Sequence, residues 1–285
     1  MPKLGGSTYQ EAAPPIMTLS SEFLMDPQIS RTQQDGWSLV LACEPALTQD
    51  SISAALELAS SIEVPFRRSR RASTFLLRSP SGKPETDLFV KHLDPPAGLR
   101  RVKSWFRRSR AFRTRRITAA LRAAGFFAPP VLLYGLHRES RREVIVTARA
   151  EGDGPILALR GLNGSIAGKR AVLRALGAEV GRLHREGFIH GDLTPFNIRI
   201  AVDEPPRLAF IDNERTRRSV LFARGYRRMR NLVQLGRFAL PGITRTDRMR
   251  VFRAYEAALH HCHSPALERK AVAMLHRRTE RETNS

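Results

Sequence analysis

The stretch that most constrains this chain is His190-Gly191-Asp192-Leu193-Thr194-Pro195-Phe196-Asn197, followed by Ala209-Phe210-Ile211-Asp212. It reads H-x-D-x-x-x-x-N, which a chain of this composition would carry by chance on the order of half a per cent of the time. His-Gly-Asp alone would be ordinary turn chemistry. The flanks add weight. Apolar periodicity predicts a helix over 169–186 just before the loop, and two short strands, 198–202 and 208–211, follow it around Asp203-Glu204-Pro205-Pro206.

The spacing matches the catalytic-loop pattern of kinases and the strand-borne aspartate that follows it. Phosphoryl transfer asks for little covalent help; it needs a carboxylate beside the attacking hydroxyl and metal ions on the phosphates. Asp192 is placed to orient that hydroxyl and accept its proton. Asn197 and Asp212 are oxygen donors suited to Mg²⁺, completed by phosphate oxygens and water. His190 reads as a brace of the loop. Far upstream, Lys91 lies mid-strand in Leu88-Phe89-Val90-Lys91-His92-Leu93, in a chain that otherwise favours arginine. A flexible ammonium there suits the phosphates of ATP; a solvent-facing strand-edge lysine is the plainer alternative.

The rest of the chain is organised around these pieces. Residues 1–35 show no clear periodicity and read as a loose lead-in. Residues 36–150 are strand-rich. Residues 37–41 alternate, Asp50 is a candidate N-cap for the helix-like SISAALELASSI, and strands are predicted at 73–78, 87–93, 131–134 and 143–147, with a basic helix over 99–124. After Glu151-Gly152-Asp153-Gly154-Pro155 the pattern over 151–285 is mostly helical, broken at Pro241-Gly242. That order predicts an α+β, two-lobed protein with a small β-rich first lobe and a larger helical second one. No apolar run approaches the roughly 18 residues of a membrane-spanning helix, and the first residues lack the apolar block of a secretory signal. Cys43 and Cys262 are too few for a disulfide framework or a zinc site, and His260-His261-x-His263 reads as a polar helix terminus. A soluble, cytosolic protein is expected.

On these residues the chain resembles the lipopolysaccharide core kinases, the bacterial heptose and Kdo (3-deoxy-D-manno-octulosonate) kinases and their relatives of protein-kinase-like fold. The resemblance spans residues 60–260 and adds RSRAFRTRRITAALRAAGFFAPPVLLYG, RRMRNLVQLGRF and TDRMRVFRAYEAAL to FVKHL, HGDLTPFN and FID. It implies an ATP- and Mg²⁺-dependent phosphotransferase acting on a sugar hydroxyl of a lipopolysaccharide core precursor, peripheral on the cytosolic face of the inner membrane. In that reading Lys91 holds phosphates, Asp192 is catalytic, and Asn197 with Asp212 binds metal.

Three departures stand out. No G-x-G-x-x-G precedes Lys91; Phe66-Arg67-Arg68-Ser69-Arg70-Arg71-Ala72-Ser73 takes its place, where Arg68 and Arg70 are candidate phosphate contacts and a solvated turn is the alternative. Asp212 is followed by Asn213-Glu214 in place of Phe-Gly, so Glu214 either assists the metal or pairs with Arg215 or Arg217. Finally, the helix that should offer Lys91 a glutamate has no acid between Asp94 and Glu139, and the glutamate position falls on Thr114. Lys91 then needs an acid from another segment. Without one, a membrane-docked pseudokinase becomes the rival reading.

The chain carries 48 Lys plus Arg against 27 Asp plus Glu, a net charge of +21. Charge alone admits any polyanion. The cations concentrate in two acid-free runs. One is the basic helix, whose 100–110 part with Trp105 is expected to face anionic lipid while its second half packs. The other follows Glu214 and includes Arg215, Arg217 and Arg218, candidate forks for an acidic or phosphorylated sugar. Nucleic acid is the less favoured partner, because no DNA- or RNA-reading motif is present. A small-molecule kinase of the aminoglycoside or choline type is a further alternative, although arginines stand where such enzymes place acids. Nothing in the sequence sets the oligomeric state.

Overall fold

A computed structural model of the chain describes residues 29–42, 47–58, 67–69, 72–79, 82–83, 86–95, 109–218, 224–236 and 242–259, with residues 65 and 273 singly. Its first half is a seven-stranded sheet in the order β1-β2-β6-β7-β5-β4-β3, antiparallel throughout. The strands are β1 (Ile29–Gln34), β2 (Trp37–Ala42), β3 (Arg67–Ser69), β4 (Ala72–Leu77), β5 (Leu88–Leu93), β6 (Val131–His137) and β7 (Glu143–Ala148). The β1 strand falls inside the segment expected to be a loose lead-in. Its polar sequence, Ile-Ser-Arg-Thr-Gln-Gln, conceals it, because pairing along β2 makes this edge strand and not apolar alternation.

Among the described residues, one helix lies on each face of the sheet. Helix α1 (Gln49–Glu57) buries Ile52, Ala55 and Leu56 against Trp37, Leu39, Phe75, Val90, Leu133, Val144 and Val146. Its N-cap is Thr48, whose hydroxyl accepts the Ser51 amide; Asp50, the expected cap, lies inside the first turn. Helix α2 (Arg110–Ala123) lies on the other face, where Ala111 joins Leu93, Val131 and Ile145. Residues 99–108 of the basic helix expected over 99–124 lie outside the described residues; within the described residues α2 begins at Arg110, where the Ser109 hydroxyl accepts the Phe112 amide as the N-cap. Its acid-free first turn borrows a carboxylate: Glu143 of β7 accepts the Ala111 amide at 2.7 Å, favourably placed at the helix N-terminus.

The second half is built on α4 (Ile166–Arg185), α5 (Arg224–Gly236) and α6 (Arg245–Ala258), preceded by the short α3 (Pro155–Gly161). Its core gathers Val180, Leu183, Phe188, Leu193, Ile198, Phe210, Tyr255 and Leu259. A hairpin of β9 (Ile198–Ala201) and β10 (Arg207–Phe210) leans on this core, and β8 (Phe188–Ile189) pairs with β11 (Arg217–Arg218). The two halves join through the segment 149–154. Asp153 bridges Ile200 with backbone hydrogen bonds in both directions, at 3.0 and 2.8 Å. Gly152 makes this approach possible: its φ is +83°, and a Cβ there would stand 2.4 Å from the Ile200 carbonyl carbon. No described helix is long and apolar enough to cross a membrane.

Candidate active site

Strand alternation decides where Lys91 points. Val90 is buried on the α1 face, so Lys91 takes the opposite face, opposite Ile145 of β7 and two residues before Leu93, both of which pack with α2. This is the face turned toward the second half. There the Lys91 ammonium lies 2.8 Å from Asp212 Oδ1 and also pairs with the Glu214 carboxylate. Burial works against the charged amine, but the two carboxylates outweigh it and its pKa is raised above the ordinary value.

The loop that carries the other candidates is tied down at several points. His190 is buried; its Nε2 donates to the Ile211 carbonyl at 3.0 Å, and its Nδ1 accepts the Asp192 amide at 3.2 Å. Burial lowers its pKa, so the ring is neutral in this role. Asn197 closes the 3₁₀ turn Pro195–Asn197 and donates from Nδ2 to the Asp192 carbonyl at 2.8 Å and toward Asp192 Oδ2 at 3.5 Å. The Ile211 amide donates to the Asn197 carbonyl at 3.0 Å, so loop and strand end are in register. Asp212 then leaves the strand in the left-handed region, φ 58° and ψ 50°, and starts the 3₁₀ turn Asn213–Arg215. Gly191 lets that turn close over the loop. A Cβ at 191 would stand 2.1 Å from Arg215 Cβ and 2.4 Å from its carbonyl oxygen.

The structure thus brings Lys91, Asp192, Asn197, Asp212 and His190 to one place between the halves. Glu214 is the acid that the basic helix lacks. It pairs with Lys91, an arrangement distinct from both the metal assistance and the pairing with Arg215 or Arg217 weighed from the sequence. Thr114 is buried instead, and its hydroxyl donates back to the Arg110 carbonyl at 2.9 Å. The 3₁₀ turn that carries Glu214 packs directly on α2.

Arg215, Arg217 and Arg218 are exposed on the chain leaving Asp212, and Arg218 stacks over the Phe188 ring at 5.1 Å. Arg68 lies on β3, but its side chain, and Arg70 altogether, fall outside the described residues. So do Trp105 and most of the 100–110 stretch expected to face lipid. Arg110, at its end, is turned inward: it donates to the Asp94 carbonyl at 2.5 Å and lies 3.8 Å from Glu143. Cys43, Cys262 and the histidines at 260, 261 and 263 also lie outside the described residues.

Two buried polar residues of α5 escaped the sequence reading. Asn231 donates to the His190 carbonyl at 2.5 Å, and Gln234 donates toward Asp192 Oδ1 at 3.4 Å. An amide-bearing pair three apart on the apolar side of an amphipathic helix was the available signal.

A metal ion fits this donor set. With its amide nitrogen turned on Asp192, Asn197 has Oδ1 left to ligate, and Asp212 adds a carboxylate; both are hard oxygen donors. Among the described residues no three His, Cys, Asp or Glu side chains cluster as a self-sufficient cage. Two protein ligands suit an ion that completes its shell with phosphate and water.

A model of the lipopolysaccharide kinase (Kdo/WaaP) family matches residues 99–255. Among solved structures, the bifunctional kinase-methyltransferase WbdD is similar at 16% identity and a TM-score of 0.37, over 67% of this chain and 45% of that one. The chain spans less than half the length of that protein. No curated protein matches.

Proposed function

This chain belongs to the lipopolysaccharide kinase (Kdo/WaaP) family, and from that premise we propose that it moves the γ-phosphate of ATP to a Kdo or heptose hydroxyl of a lipopolysaccharide core precursor. It is a phosphotransferase by that membership. The single observation that carries the finer reading is the convergence of Lys91 and Asp212, 2.8 Å apart, beside a loop that aims Asp192 and Asn197 at the same cleft.

In this reading the sugar hydroxyl sits against Asp192. Its oxygen bonds to the γ-phosphorus, the bond from that phosphorus to the ADP oxygen breaks, and the hydroxyl proton passes to the Asp192 carboxylate. The Lys91 ammonium, which Asp212 and Glu214 keep charged, holds the phosphates. Asn197 and Asp212 would hold Mg²⁺, which supplies charge neutralisation on the phosphate oxygens. Arg215, Arg217 and Arg218, exposed beyond Asp212, suit a carboxylate- or phosphate-bearing acceptor. They also argue against a cationic small molecule as acceptor. The basic surface supports peripheral attachment to an anionic membrane that presents such an acceptor, at the cytosolic face of the inner membrane.

Incubation with γ-labelled ATP, Mg²⁺ and Kdo- or heptose-bearing lipid acceptors tests the function. Label on the lipid supports it; label on neither acceptor, with a folded protein, sinks it. Liposome flotation tests the membrane claim, and equal recovery with neutral and anionic lipid would count against it.

A further inference from the structure

We infer that Gln234 is a positioning residue for Asp192, the last link of a buried hydrogen-bond relay that aims the carboxylate from the core of the helical half. The inference rests on the phosphotransfer reading of Asp192 given above. The relay begins at Tyr255 on α6 and runs through His184 on α4 to Asn231 and Gln234 on α5. All four side chains are at most 4% exposed.

The direction of each bond follows from the chemistry of the atoms. Asn231 Oδ1 can only accept, so His184 Nε2, 3.0 Å away, carries the proton. Burial, outweighing the Asn231 hydrogen bond, pushes the His184 pKa down to about 4, so the ring is neutral and its Nδ1 accepts from the Tyr255 hydroxyl at 3.0 Å. The Asn231 orientation being set, its Nδ2 donates to the His190 carbonyl at 2.5 Å and to Gln234 Oε1 at 3.2 Å. That leaves Gln234 Nε2 as the atom facing Asp192 Oδ1 at 3.4 Å. The other carboxylate oxygen faces the Asn197 amide at 3.5 Å. Asp192 is therefore held between two amides, one from its own loop and one from α5.

The cost of placing an amide here is informative. Gln234 is 4% exposed, so its amide is withdrawn from water. A buried amide has to be satisfied, and both polar atoms of Gln234 are spent on Asn231 and Asp192.

The test compares Gln234→Leu and the near-isosteric Gln234→Met, which keeps the length of the side chain and removes the donor toward Asp192 without adding a charge. Transfer to the lipid acceptor is measured in the full chain, with melting temperature as a check on folding. Both variants are expected to lower kcat about tenfold with KM for ATP within about twofold. Placed on Asp192→Ala, Gln234→Leu should change the residual rate by less than about twofold, because it acts through the missing carboxylate. Wild-type kcat in Gln234→Met overturns the inference, as does a full tenfold loss on the Asp192→Ala background. If Gln234→Leu fails to fold, Gln234→Met alone decides. Failure of the wild-type chain to label any acceptor would sink the phosphotransfer reading instead, so the two failures are distinct.

Discussion

The ammonium of Lys91 is gripped by Glu214, a residue two positions past the strand end at Asp212, and not by any acid on the helix packed beside it. The acid-free α2 thus leaves Lys91 paired all the same. The partner comes from the segment that carries Asp212, so the ordering of Lys91 and of that segment are one event.

That relationship predicts a reversal of the usual mutational pattern. Glu214→Gln keeps the shape and removes the charge; kcat/KM for ATP should fall about tenfold. Thr114→Val touches only a hydroxyl bonded to its own helix, so activity should stay within about threefold, with about 1 kcal/mol lost in stability. Steady-state kinetics with urea unfolding separates the two. Equal activity in Glu214→Gln and wild type would refute the substitution of one acid for the other.

Gly191 should tolerate nothing larger. Gly191→Ala drives a Cβ into Arg215, so the loop or the turn after Asp212 must shift. A displacement of this kind is expected to cost about a hundredfold in kcat. Gly161→Ala, where the added atom meets nothing within 4 Å, is the matched control and should change stability by less than about 0.5 kcal/mol. Similar activity in the two variants would contradict the geometry.

Much of this site was legible because its pieces are local. His190 to Asn197 is one loop, and Asp212 follows a hairpin whose turn residues mark it. Lys91 was legible as a lysine placed mid-strand in a chain that otherwise favours arginine. The pairing of Glu214 was not, because it depends on how a turn after β10 meets a lysine 123 residues earlier in the chain. Nor was the cap at Ser109, which stands within a run of arginines whose apolar periodicity continues through residues 99–124. The β1 strand carries no apolar stripe at all. Gln234 and Asn231 read as polar positions on a helix until packing shows which side they face.

Two titrations should appear in the stability of the protein toward acid. His184 has its pKa pushed down by burial to about 4 against the ordinary 6.5. The unfolded chain therefore binds that proton first, and stability falls as pH drops from about 6.5 to about 4. Asp247 behaves differently. Burial disfavours its ionised form, yet the hydrogen bonds from Lys169 and Thr244 outweigh this and hold its pKa at about 2 against 3.8. The stability it adds is fully present above pH 3.8 and is lost toward pH 2. Urea midpoints from pH 7 to 3 should fall in the first window, and Lys169→Ala should lessen the further loss below pH 4. A flat profile between pH 6.5 and 4 would contradict the buried neutral His184.

The exposed arginines after Asp212 make a separate prediction. Arg217→Ala with Arg218→Ala removes two forks that bond no carboxylate among the described residues. KM for a phosphorylated lipid acceptor should rise about tenfold, with KM for ATP unchanged. An equal rise for ATP would place these arginines on the nucleotide instead.

The most direct measurement is the rate at which the γ-phosphate of ATP reaches a Kdo- or heptose-bearing lipid in wild type and in Asp192→Asn. Wild type should label the lipid in a Mg²⁺-dependent reaction, and the variant should lose at least about a hundredfold in kcat while still binding ATP. Undiminished labelling by Asp192→Asn would contradict the account at its centre.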